Sequence, residues 1–365
     1  ILCCAAAHTY TQADADAPYY FNCDAASLLP SATNPTDPAS VRPADIQFVA
    51  ALGDSITTGY YAFNNWTSTS VPESHVGNSF VMGGDETIAT HPTIPNILRS
   101  LNPSLLGYSV GADLNVSEAH LNVAVPGAMT ADFPSQAQEL VNRMADYPAD
   151  LVQNGWKLIH MFTGTNDIIS GLCGLSGTVT KAQYKASIKS AIQTIQANIP
   201  KTIISIIGMW DVRFAINAYI LINGIPEKLL YCPYNELPKI DVYIAQYRAA
   251  IAELEASAAL TTSDSVIVTQ HVFDQFVEPV TKEDGTYYVD FYAPDLLHLS
   301  KLGHRLSAVQ LWNQLLSRPV FKNTTNAMLI SESRELACPD PACPYIRTYY
   351  NDVFCDGNIV DNSVN

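Results

Sequence analysis

The sequence predicts an α/β protein: a three-layer α/β/α sandwich built on a mainly parallel five-stranded sheet. Three observations predict it. Short apolar runs recur at 46–52, 121–125, 158–162, 202–207 and 266–270, each bounded by turn residues. Helical patterns stand at 135–144, 181–197, 242–258 and 302–316. Strands that alternate with helices form a parallel sheet covered on both faces. Finally, 48% of the 365 residues are hydrophobic, enough to bury a large core.

Taken in order, residues 1–45 are rich in Ala, Asp and Pro and lack periodicity, so they read as an irregular extension tied down by cysteines. Ile46-Gln-Phe-Val-Ala-Ala-Leu52 reads as a buried strand that ends in a turn at Gly53. The run at 121–125 leads into Pro126-Gly127-Ala128, and the run at 158–162 into Gly164-Thr165-Asn166-Asp167. The pattern at 181–197 places Ile188, Ile192 and Ile195 on one face. The apolar stretch from Ile203 to Trp210 is too short to cross a bilayer and reads as a strand. The helix at 302–316 stops before Pro319. The expected organisation is an extension at 1–45, a main domain at 46–320, and a disulfide-stapled wrap on that domain at 321–365.

The formal net charge is −16, which makes nucleic acid a poor partner and opposes electrostatic docking on anionic lipid. Eight cysteines, Cys3, Cys4, Cys23, Cys173, Cys232, Cys338, Cys343 and Cys355, contain no Cys-x-x-Cys pair. They call for disulfides rather than a metal site, and no cofactor is expected. Cys173 and Cys232 both follow expected strands and are expected to pair. Asn65-Trp-Thr, Asn115-Val-Ser and Asn323-Thr-Thr are glycosylation sequons. Together these features predict a secreted or cell-surface glycoprotein. No run is long enough for a transmembrane helix. The first residues fit the start of a mature chain. The small polar residues at 361–365 fit the stretch that would precede a lipid-anchor signal already removed. Peripheral or anchored membrane association and assembly with other surface proteins therefore stay open.

In such sheets, ligands bind beyond the carboxyl ends of the strands. Gly53-Asp54-Ser55 stands just after the first strand, where a following helix would aim N–H groups at an anion. A serine there suits a nucleophile, although Asp and Ser also cap helices. In Asp295-Leu-Leu-His298, a neutral imidazole can take the proton of Ser55 and a carboxylate can fix its tautomer, provided the loop backbone curls. His304 competes for the role of base, but its place at a helix start points to packing. Gly127 permits close backbone approach and N–H donation. Asn166 offers an amide to a developing oxyanion. Each of these residues also suits an ordinary turn. Their shared position, one group after each of several strands, is what points to a single site. Asp54 and Asp167 read as braces for their turns. Tyr60, Tyr61, Phe63 and Trp66 fit either an acyl channel or the core.

These blocks resemble the GDSL, or SGNH, hydrolases. Gly53-Asp54-Ser55, Gly127, Asn166 and the pair Asp295/His298 match its four blocks in order. The resemblance implies a flavodoxin-like SGNH hydrolase fold. It also implies Ser55 as nucleophile, His298 and Asp295 as base and acid, and an oxyanion hole formed by the Ser55 N–H, the Gly127 N–H and the Asn166 amide. Asn122-Val-Ala-Val-Pro-Gly-Ala, with Asp132 and Gln136, is similar to the phospholipase B-like branch. So are Asp295-Leu-Leu-His-Leu-Ser-Lys-Leu-Gly-His304 and Pro344-Tyr-Ile-Arg-Thr-Tyr-Tyr-Asn351. Branch members commonly carry Pro where this chain has Leu299, and the stretch 64–91 carries no transferable contacts.

The resemblance implies a calcium-independent lipase that releases fatty acids from glycerophospholipids and lysophospholipids. A carbohydrate acetylesterase or a thioesterase would use the same machinery. From another class, a surface glycoprotein could use the fold for adhesion or assembly. The intact set of Ser55, Asn166 and His298 argues against that, because a scaffold has no chemical need for them.

Overall fold

The computed structural model describes residues 17–62, 73–174, 177–224, 228–229, 232–233, 239–274, 276–282, 284–322 and 333–355. Its centre is a parallel ladder of four strands in spatial order β1 (Ile46–Gly53), β2 (Trp156–Phe162), β3 (Thr202–Ile207) and β4 (Ser265–Gln270). Val49, Leu158, Ile203 and Val266 lie in one row across it. Nearly every residue of these strands is buried, so both faces are covered.

The fifth strand expected at 121–125 is reduced to an isolated parallel pairing of Asn122 with Ala51. The chain still runs along β1. Ala51 N–H donates to the Leu121 carbonyl, Val123 N–H to Ala51, and Val125 N–H to Gly53, at 3.2, 2.9 and 3.2 Å. A second isolated pairing, Phe48 with Leu106, shares that edge, so no single segment runs the length of β1. Counting 121–125, the strand order is second, first, third, fourth, fifth. The crevice where that order reverses lies between the ends of β1 and β2.

Among the described residues, seven longer helices surround the sheet: α1 (Ile94–Leu101), α2 (Phe133–Met144), α3 (Thr165–Leu172), α4 (Lys181–Asn198), α5 (Arg213–Asn223), α6 (Ile240–Glu255) and α7 (Lys301–Leu316). α2 packs on α4 and α4 on α6, while α1 packs on α7; both α6 and α7 reach β4. Thr180 caps α4 reciprocally with Gln183, as a capping box does.

α7 is buried almost all the way round because the two ends of the described chain close over it. Tyr20–Phe21 pairs in parallel with Glu335–Leu336, and Cys23 is disulfide-bonded to Cys338. Trp312 Nε1 donates to the Ala337 carbonyl at 2.8 Å, and Ile346 N–H to Val41 at 2.9 Å. A second disulfide joins Cys343 to Cys355. Cys173 is also disulfide-bonded; its expected pairing with Cys232 rests on a side chain outside those described. Cys3 and Cys4 lie outside them as well.

Candidate active site

The site begins at the end of β1. Gln136, on α2, holds both backbone groups of Gly53. It accepts the Gly53 N–H at 2.8 Å and donates its amide to the Gly53 carbonyl at 2.9 Å. A side chain at position 53 would drive its Cβ to 2.1 Å from Thr57 Oγ1, so the close turn requires glycine here. The Thr57 carbonyl is held in turn by Ser79 Oγ at 2.7 Å and Asn122 Nδ2 at 3.1 Å. The helix expected after Ser55 is instead a succession of turns across 55–61. Gly59 and Tyr61 adopt left-handed backbone, φ 64° and 65°, which stops helical winding.

The loop at 293–298 brings the other two groups. Ala293 N–H donates to the His298 carbonyl, and Leu296 N–H donates back to Ala293, each at 2.8 Å. Leu296 takes a left-handed φ of 56°. This curl lets Asp295 Oδ1 accept the N–H groups of Leu297 and His298, at 3.1 and 3.0 Å. Asp295 Oδ2 lies 2.5 Å from His298 Nδ1, and His298 Nε2 lies 2.8 Å from Ser55 Oγ. Carboxylate, imidazole and hydroxyl thus stand in one hydrogen-bonded line across 243 positions of sequence. Burial alone would raise the Asp295 carboxyl. The His298 ring and the two N–H donors outweigh it and hold the carboxyl below its ordinary range.

Gly127 and Asn166 face the same hollow. Gly127 has φ 81° and open space where a Cβ would be, so glycine is needed there for backbone conformation. Asn166 uses one amide hydrogen on the Ala128 carbonyl at 3.0 Å, which leaves the second for a ligand. Among the described residues, the Ser55 and Gly127 N–H groups have no acceptor. Unpaired N–H donors that converge on one pocket suit an oxyanion. Asp167 ties the 127–132 turn to α3: its carboxylate accepts the Thr130 N–H at 2.9 Å and the Thr130 hydroxyl at 2.9 Å.

Ser55, Gly127, Asn166 and His298 line a cavity of about 240 Å³, with Asp54, Tyr60, Pro126, Ile169, Trp210 and Leu297 also on its walls. Asp54 is buried. Its Oδ1 accepts the Ile56 N–H at 3.0 Å, and its Oδ2 has no partner among the described residues. Burial pushes this carboxyl up to about 7, the Ile56 N–H offsetting only part of the desolvation. A second hollow, of about 590 Å³, shares Tyr60 and Pro126 with the first.

Of the aromatic candidates, Tyr60 lines the cavity and Tyr61 packs on the His298 ring, while Phe63 and Trp66 lie outside the described residues. His304 is fully buried in α7 and accepts the Phe80 N–H at 3.2 Å. Sequence reasoning missed Pro126, Ile169, Trp210 and Leu297. Trp210 stands three residues after β3 ends at Ile207, so the rule of searching each turn beyond a strand could have found it. Of the sequons, Asn115 is exposed, while Asn65 and Asn323 lie outside the described residues.

The fold and this arrangement define a carboxylic ester hydrolase. The profile of the GDSL-like lipase/acylhydrolase family matches residues 49–311, and the chain belongs to that family. It is 32% identical over 346 residues to "Phospholipase B1, membrane-associated" of Rattus norvegicus, covering 92% of this chain and 23% of that protein. It is 31% identical over 331 residues to the Homo sapiens protein of the same name, covering 87% and 22%. The chain thus spans less than a quarter of the length of these relatives. Among solved structures, it is similar to an acetyl xylan esterase from Geobacillus stearothermophilus. That match has a TM-score of 0.38 and 15% identity, covering 74% of this chain and 96% of that one. A psychrotrophic esterase from Pseudoalteromonas also matches, with a TM-score of 0.38 and 12% identity, covering 73% and 96%. No helix among the described residues is long and apolar enough to cross a membrane.

Proposed function

We propose that this chain is a phospholipase B-like acylhydrolase that releases fatty acids from glycerophospholipids and lysophospholipids through an acyl-enzyme. The observation that carries the chemistry is the 2.8 Å contact between His298 Nε2 and Ser55 Oγ, with Asp295 on the far nitrogen. Ser55 attacks the ester carbonyl while His298 takes its proton. Asp295 holds the tautomer and stabilises the imidazolium. The Ser55 and Gly127 N–H groups and the free Asn166 amide hydrogen receive the oxyanion. The alcohol leaves with the proton returned by His298, and water then cleaves the acyl-enzyme with His298 again as base. Asp54 and Asp167 brace the turns.

The phospholipid substrate is supported by the names of the relatives and by the paired hollows, which give room beyond a small acyl group. In this reading residues 46–320 are the hydrolase domain, flanked by the extension at 1–45 and the wrap at 321–365. The disulfides and the exposed sequon at Asn115 support an extracellular location, with peripheral contact to lipid at the working surface.

The test is fatty-acid release from phosphatidylcholine and lysophosphatidylcholine beside acetate release from acetylated xylan, with the Ser55→Ala protein as blank. Release from both lipids and from wild type alone is expected. Turnover confined to acetylated xylan would replace the lipid substrate with a carbohydrate ester.

A further inference from the structure

The base position is held by more than Asp295. The His298 ring sits in a corner formed by two tyrosines. Its centroid is 5.2 Å from that of Tyr60 and 5.5 Å from that of Tyr61, with interplanar angles of 54° and 34°. The two tyrosine rings meet edge to face, 4.9 Å apart at 86°, so each fixes the other. Tyr60 borders the cavity, whereas Tyr61 does not line it. The backbone of Tyr61 is left-handed, φ 65°, a conformation that a bulky residue adopts only against strain and that glycine takes freely. The backbone is pinned there: Tyr61 N–H donates to the Glu73 carbonyl at 2.9 Å, and His75 N–H donates to the Gly59 carbonyl at 3.0 Å. If backbone conformation alone mattered, glycine or asparagine would serve better at position 61. A bulky aromatic in a strained position, against the ring that touches the nucleophile, points to a use for its ring.

We propose that Tyr61 is a positioning residue whose ring holds the His298 imidazole in line with Ser55 Oγ. It rests on His298 being the base, as set out above. Asp295 fixes one nitrogen of the imidazole but leaves rotation about the Nδ1–Oδ2 axis to be limited by packing. Tyr61 supplies a flat wall against that rotation. Its phenol is held neutral, because burial, with the Asp295 carboxylate and Tyr60 beside it, keeps it above its ordinary range. The wall acts through shape rather than charge. Displacing a reacting group by about 1 Å lowers rates by about 10².

Three variants test this: Tyr61→Gly, Tyr61→Phe and His298→Ala, each followed by kcat and KM on a soluble short-chain ester and by thermal melting. In Tyr61→Gly, relief of the left-handed strain offsets the lost ring contacts, so Tm stays close to wild type. Its kcat falls at least tenfold, with KM within about twofold. Tyr61→Phe keeps the wall and restores kcat to within about twofold of wild type. A Tyr61→Gly enzyme with wild-type kcat would overturn the proposal. So would a loss carried by KM alone, or a Tyr61→Phe enzyme as slow as Tyr61→Gly. His298→Ala separates the two levels. If it retains activity, the base assignment fails; if it is inactive while Tyr61→Gly is not, only the role of Tyr61 fails.

Discussion

The loop at 293–298 and the first turn of α7 each present a histidine, and the two imidazoles meet different surroundings. His298 has a polar partner on each ring nitrogen, a carboxylate on one side and a hydroxyl on the other, and it faces a cavity. His304 is fully enclosed. One nitrogen accepts the Phe80 N–H, and the other has no partner among the described residues. Burial drives His304 down to about 3, which keeps it neutral, so it serves as a fixed acceptor for one backbone group. The difference comes from backbone shape. The left-handed turn at Leu296 swings His298 out toward the strand ends, whereas helical winding from Lys301 carries His304 inward beneath Phe80. Within one short stretch, the fold sets one histidine between a carboxylate and a hydroxyl and makes the other a structural prop.

The largest effect should follow from Asp295→Asn, which leaves His298 in place but removes the carboxylate that fixes its tautomer. kcat should fall by about 10⁴ with little change in Tm. A loss below tenfold would erase the distinction between the two histidines.

Asp54→Asn sharpens the contrast on the site side. The folded-state value of Asp54, about 7, lies above its ordinary 3.8, so the folded protein holds this proton more tightly than the unfolded chain does. That contribution is fully present below about pH 4 and is lost as pH rises through about 7. Wild type should lose stability across this window relative to Asp54→Asn, by on the order of 3 kcal/mol, in denaturant melts at matched pH. Parallel pH profiles for the two proteins would refute it.

The smallest effect on chemistry should come from His304→Ala. It orphans the Phe80 N–H and leaves a void, lowering stability by about 2 kcal/mol, while kcat per folded molecule stays within about twofold. A large fall in kcat at unchanged Tm would move the base to the wrong histidine.

Much of this contrast could be read in the sequence. Ser55, Gly127 and Asn166 lie in turns after apolar runs, and Asp295 and His298 lie just before the last helix; the rule that ligands bind beyond strand ends brought them together. The fold class followed from β1 to β4, whose runs are mostly apolar rather than alternating because both faces are covered. What resisted reading has physical causes. Residues 121–125 pair with β1 only over a few hydrogen bonds, which no local pattern encodes. α1 hides behind His91-Pro-Thr-Ile-Pro95, where two prolines look like loop, although Thr93 caps the helix and Pro95 suits its first turn. α5, Arg-Phe-Ala-Ile-Asn-Ala-Tyr-Ile-Leu-Ile-Asn, is rich in the β-branched and aromatic residues of strands. Trp210 reaches the cavity from a turn that bears no obvious chemistry, and Tyr61 shows its purpose only once its φ and its neighbour are seen.

One covalent experiment tests the centre of the account most directly. The folded protein is treated with a serine-directed fluorophosphonate, and the modified peptide is mapped by mass spectrometry, with His298→Ala alongside. A single adduct on Ser55 is expected, forming at least about 10³ times more slowly in the His298→Ala protein. An adduct on another serine, or equal labelling rates in the two proteins, would contradict it.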